Sequence, residues 1–198
     1  MKNNLENSLK NSINYVEYKS LISSLLKKGK VTGNEQSEDL YHYAELNQTR
    51  MKRLDKTIEI NQEVKLFLEN LNKNYIWLVI SEGWCGDAAQ ILPIINKMSL
   101  ESSKIDFRIV LRDENDELMK LFLTNGSKSI PIVIIIEKDT LQVINHFGPR
   151  PQGAKKLILD YKTKHGIIDE TAKIELQKWY LNDKGISTQT EIMELMKV

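Results

Sequence analysis

Cysteine is nearly absent from this chain: Cys85 is the only one in 198 residues. A lone thiol forms no internal disulfide and cannot complete a structural zinc site. The three histidines, His42, His146 and His165, are scattered and add no ligand spacing, so neither a metal nor a cofactor is expected. Nine glycines and four prolines are too few for a low-complexity or collagen-like chain. Charge of one sign is missing as well. Twenty-eight Lys+Arg against 27 Asp+Glu leave a net charge of +1, so no overall basic field points to nucleic acid. The longest apolar runs, Tyr75 to Ile80 and Ile130 to Ile136, fall far short of the ~20 residues of a membrane span. The first residues, MKNNLENSLKNSINYVEYKS, lack the apolar core of a secretory signal. The expectation is a cytoplasmic protein stabilised by a packed core, with neither nucleic acid nor membrane as partner.

What is present is strong hydrophobic periodicity. Ile13, Val16 and Tyr18 lead into Leu21, Ile22, Leu25 and Leu26, and the stripe ends at Lys27-Lys28-Gly29, an ordinary helix C-terminus. Beyond a polar loop through Gly33 and Asn34, Leu40, Tyr43, Ala44, Met51 and Leu54 fall near one helical face. Thr57 to Ile60 reads as a short edge strand, and Val64, Phe67, Leu68 and Leu71 as the next helix. Tyr75 to Ile80 suits a strand buried on both faces. Ala88 to Met98 is helical in pattern despite Pro93, Ile105 to Leu111 is a second strand, and Leu118, Leu121 and Phe122 mark a short helix. Pro131 to Ile136 and Leu141 to Phe147 flank a turn at Lys138-Asp139-Thr140 and make a hairpin. Ala154, Leu157, Ile158 and Tyr161 give another helix, followed by two more around Ala172 to Leu181 and Glu191 to Lys197.

From residue 57 the order is (β)αβαβαββα. A right-handed crossover makes the first strands parallel and the closing hairpin adds antiparallel ones. The fold class is α/β, a mixed central sheet flanked by helices. A helical extension over 1–56, a core over 57–164 and a second helical extension over 165–198 complete it. Ligands at such sheets collect beyond the carboxyl ends of the parallel strands. Those ends are Ser81 to Cys85 and Arg112-Asp113, which puts the sole thiol at the functional edge.

At that edge the residues match a family. Trp84-Cys85-Gly86-Asp87-Ala88 resembles the Trp-Cys-Gly-x-Cys segment of thioredoxin-like proteins. Pro93, eight residues after Cys85, matches the kinking proline of their active-site helix, and Ile130-Pro131 looks like their cis-proline beside the thiol. The likeness covers Thr57 to Lys164. The segments Leu40 to Thr57, Arg112 to Pro131 and Gly148 to Pro151 look like a bacterial branch with added terminal helices. Two departures stand out. Ala88 occupies the place of the resolving cysteine, and Val79 the place of the buried acid. A dithiol cycle is therefore closed to this chain.

The resemblance implies Cys85 as the reacting group, with Trp84, Gly86, Asp87, Ile130 and Pro131 around the substrate, and strand order adds Arg112 and Arg150 at the same edge. A helix N-terminus lowers a thiol pKa, whereas Asp87 opposes the thiolate and is most simply a helix cap. Arg112 and Arg150 end strands at the same edge and are candidates to pair with Asp87, the thiolate or a substrate carboxylate. Two functions follow. One is a monothiol thiol-disulfide oxidoreductase that forms a mixed disulfide through Cys85 with a protein disulfide or a low-molecular-weight thiol. The other is a thioredoxin-fold binding module that has lost redox turnover. A depressed thiol pKa on an uncovered sulfur favours the first; one at or above ~8.5 favours the second. The terminal helices are compatible with a monomer or a homodimer.

Overall fold

The computed structural model describes residues 2–197. Helices α1 (Lys2–Lys10), α2 (Tyr15–Leu26), α3 (Glu38–Thr57) and α4 (Gln62–Glu69) precede the first strand, β1 (Tyr75–Ser81). After it come α5 (Gly86–Leu100), β2 (Ile105–Leu111), α6 (Asp116–Met119), β3 (Ile132–Glu137) and β4 (Gln142–Phe147). Helices α7 (Gln152–His165), α8 (Glu170–Asp183) and α9 (Ile186–Met196) follow. Local chemistry sets several of the boundaries. Asn14 caps α2 with a reciprocal Glu17 contact, Ser37 caps α3 and Asp169 caps α8, each side chain taking an otherwise unpaired first-turn amide.

The sheet order is β2-β1-β3-β4. β1 runs parallel to β2, with Tyr75 opposite Ile105, and antiparallel to β3, with Ile80 opposite Ile132. Every residue of β1 is buried, which in a period-2 element requires cover on both faces. Trp77, Leu78, Val79 and Ile80 form its unexposed centre. Thr57 to Ile60 is not a strand. Thr57 ends α3, and Ile58 continues as an extended C-cap whose N–H returns to the Leu54 carbonyl. Short-range alternation there is outweighed by the helix running through it.

The helix of the active-site-like motif passes through Pro93 without ending. Its flanks are covered by chain from both ends. Asn47 of α3, fully buried, donates to the Gly83 carbonyl at 3.1 Å, and Gln90 of α5 donates to Gln177 of α8 at 2.6 Å. On α8, Leu176 and Tyr180 are buried and Trp179 packs against Gly153, so these three side chains pack within the chain. No helix among the described residues is long and apolar enough to cross a membrane.

Candidate functional site

The loop between β1 and α5 turns sharply, and Cys85 becomes the N-cap of α5. Its Sγ accepts the Ala88 N–H at 3.4 Å and donates its own proton to the Ile130 carbonyl at 3.3 Å. The thiol, rather than Asp87, is thus the cap. Ile130 and Pro131 are joined by a cis peptide bond, and so are Gly148 and Pro149. These two loops touch: a Cβ on Gly148, at φ +129°, would lie 2.2 Å from the Pro131 carbonyl oxygen, so only glycine fits. The Ile130 N–H donates to no group among the described residues.

The sulfur is not uncovered, as its loop position suggests, because α3 and α8 close over the first turns of α5. Cys85 is 7% exposed. Burial pushes its thiol up to about 12, and the Asp87 carboxylate adds to this. The Ala88 and Asp87 amides and the Arg150 guanidinium act in the opposite direction. The helix terminus therefore loses to desolvation, the larger effect when an anion is taken out of water.

Asp87 is engaged elsewhere than in capping. One oxygen accepts the Tyr180 hydroxyl at 2.8 Å and the other pairs with Arg150 Nη2 at 2.7 Å. The phenol of Tyr180 is pushed well up, first by burial and then by Asp87. Burial alone would lower the Arg150 pKa, but its pairing with Asp87 leaves it raised. Arg150 is thus where the topology places it, beside Asp87 and Cys85. Arg112 does not join them. It binds Asp113 at 2.8 Å and lies 4.8 Å from the ring centre of Trp84. Trp84 in turn donates its indole N–H to the Thr32 carbonyl at 3.1 Å, while Thr32 Oγ1 accepts the Gly83 N–H at 2.8 Å.

Glu82 is a second ionisable group at this edge. It is unexposed, accepts the Asp113 amide through Oε1 at 3.0 Å, and leaves Oε2 without a partner among the described residues. Burial raises its pKa, and the Asp113 carboxylate acts in the same direction. The strand position that carries an acid in thioredoxins is occupied by Val79, fully buried.

Four contributors escape a reading of the motif alone: Thr32, Asn47, Arg50 and Tyr180. Arg50 donates to Asn47 Oδ1 at 2.9 Å, and its Nη1 stands 3.7 Å from where a Gly86 Cβ would be. Asn47 did leave a trace, as a polar residue inside the apolar stripe of Ala44, Met51 and Leu54. Tyr180 is marked only as part of the apolar stripe with Leu176 and Trp179, not as a site residue, and nothing in the sequence marks Thr32. Among the described residues no cluster of three or more His, Cys, Asp or Glu side chains is arranged to hold a metal.

Among solved structures, the chain is similar to an HIV epitope-scaffold protein, 17% identical with a TM-score of 0.57 over 93% of this chain and 98% of that one. It is equally similar to a protein of unknown function from Pseudomonas aeruginosa, 14% identical with a TM-score of 0.57 over the same shares. At such identities the likeness concerns fold alone. No curated protein sequence matches. The Thioredoxin family model matches residues 33–166, a span that takes in α3, the Cys85 loop, both cis-prolyl loops and α7. On that match over most of its length, the chain belongs to the thioredoxin family.

Proposed function

We propose that the chain is a thioredoxin-fold binding module that receives a partner at the Cys85–Pro131 edge and runs no dithiol cycle. The observation that carries this reading is the state of the thiol: buried, donating to the Ile130 carbonyl, and raised to about 12. At neutral pH only about one molecule in 10⁵ then holds the thiolate that attacks a disulfide. Ala88 supplies no resolving thiol and Val79 no acid to exchange a proton. What the edge offers instead is the Ile130 N–H, unpaired among the described residues although Ile130 is itself buried, the partly exposed Trp84 ring, and the guanidinium groups of Arg50 and Arg150. An extended segment takes its backbone pairing from the first and its side-chain contacts from the others. The near absence of cysteine fits a reducing compartment, and we assign the protein to the cytoplasm.

A second reading, the monothiol oxidoreductase, is favoured by one specific arrangement. Sγ sits at the α5 N-terminus, takes the Ala88 N–H and lies near Arg150, all of which support a thiolate. In that chemistry the Cys85 thiolate attacks one sulfur of a disulfide, forming a mixed disulfide and expelling the other sulfur as a thiolate that takes up a proton. An external thiol then restores Cys85. Incubation with oxidised glutathione at pH 7.5, followed by intact-mass measurement, decides between the readings. The binding module stays unmodified over an hour, with Cys85→Ser as blank. Stoichiometric glutathionylation within minutes overturns it in favour of the oxidoreductase.

A further inference from the structure

One flank of α3 bears a basic strip whose side chains are not drawn into ion pairs among the described residues. Arg50, Arg53 and Lys56 follow at three-residue spacing, so successive side chains lie about 60° apart around the helix and the set runs along nearly two turns of one flank. None of the three makes an ion pair among the described residues. The acids of the same helix lie elsewhere. Glu38 and Asp39 occupy its first turn, Glu45 its N-terminal half, and Asp55 is held by Lys19 at 2.7 Å and Tyr15 at 2.9 Å. Arg53 and Lys56 are exposed and Arg50 is half-buried.

The strip leads to the candidate site. Arg50 stands over Gly86, the first residue of α5, and its one hydrogen bond goes to Asn47. Burial and the neighbouring Arg53 lower its pKa, while Tyr43 and the Asp87 carboxylate act in the opposite direction. Across the same helix terminus, Arg150 is matched by Asp87 through Nη2 while its Nε is buried and unpartnered among the described residues. Two guanidinium groups thus face one carboxylate next to a protonated, uncharged thiol. In a chain of net charge +1, this local excess is not part of a general basic surface.

We propose that the Arg50–Arg53–Lys56 strip docks an acidic peptide segment, whose carboxylates run along α3 and deliver the peptide to the edge at Cys85 and Ile130. This rests on the binding-module reading and names the chemistry of its partner. Guanidinium forks match carboxylates in a bidentate fashion, and the unpaired Ile130 N–H suits a peptide backbone, which nucleic acid does not offer. Three cations neutralise too few phosphates for firm nucleic-acid binding at physiological salt.

Fluorescence anisotropy of labelled hexaglutamate, with hexaglutamine as control, tests the strip on the full chain. Saturable binding of hexaglutamate alone is expected, weakened at least tenfold in the Arg50→Gln/Arg53→Gln double variant. The single Arg53→Gln change, at an exposed position, should weaken binding about threefold without touching the fold. Lys27→Gln/Lys28→Gln removes the same charge at the end of α2 and should leave affinity unchanged. Any of four results overturns the proposal: no saturable binding, equal binding of hexaglutamine, an equal loss in the Lys27/Lys28 variant, or tighter binding of a single-stranded oligonucleotide of matched charge. Rapid glutathionylation of Cys85 would sink the binding-module reading and leave these affinities as measured. Absent peptide binding would remove the strip and leave the thiol's behaviour untouched.

Discussion

A thiol raised from an ordinary 9.0 to about 12 makes a quantitative demand on reactivity. Only the thiolate is alkylated at an appreciable rate, so at neutral pH the folded protein should react about a thousandfold more slowly than an unperturbed cysteine, equivalent to ~4 kcal/mol. Replacing Asp87 with Asn isolates the charge contribution. The carboxylate that repels the thiolate disappears, and Arg150, released from its 2.7 Å pair, faces the sulfur alone. Burial persists, so the pKa should fall by roughly one unit and stay above the ordinary value, a gain of about tenfold in rate. The substitution also leaves a half-buried guanidinium unpaired, at a cost of about 1–3 kcal/mol. The rate must therefore be read well below the variant's unfolding midpoint. The assay is the second-order rate with iodoacetamide from pH 6 to 11, normalised to the same chain unfolded in guanidinium chloride. A native rate within tenfold of the unfolded one at pH 7.5, or an inflection below pH 9, would refute the assignment of desolvation as the winning effect. No change in Asp87→Asn would refute the role given to that carboxylate.

Glu82 gives a pH-dependence of defined sign. Its folded pKa is raised, so the folded chain binds this proton more tightly than the unfolded one. The associated stability is complete below the unfolded value of ~4.3 and is lost as pH rises through the folded pKa. Urea denaturation should show Glu82→Gln gaining on the native chain between pH 4.5 and pH 8.5, and an unchanged gap between the two curves would contradict this. Gly148→Ala places a Cβ 2.2 Å from the Pro131 oxygen at φ +129°. A loss of about 3 kcal/mol or more is expected, with movement of the Pro131 loop visible in amide shifts of Ile130 and Ile132. A melting temperature within 2–3 °C of the native chain's, about 0.5–1 kcal/mol, would show that the two loops do not pack as described.

The residues of the central strand, the hairpin and α5 were legible because their pattern is local. An unbroken apolar run such as Tyr75 to Ile80 can be satisfied only by burial on both faces, and the spacing from Trp84-Cys85-Gly86 to Pro93 lies within one helix. Thr57 to Ile60 misled because four residues of alternation carry less weight than the twenty-residue helix entering them. At the site, strand order put Cys85 at the sheet edge, the family resemblance pointed to Pro131, and Arg150 was one of two arginines within reach of Asp87. The partnership of Arg112 with Asp113 and Trp84 could not be anticipated.

What the sequence determined by itself is the inventory of chemistry. One thiol, no second cysteine at Ala88 and no acid at Val79 exclude a dithiol cycle whatever the packing. Whether that one thiol is reactive was decided by tertiary structure alone. Asn47, Arg50 and Tyr180 lie far along the chain from Cys85, and only the docking of α3 and α8 on α5 brings them to its first turn. Desolvation grows with how completely water is removed, and that depends on every element that arrives, not on the residues beside the sulfur.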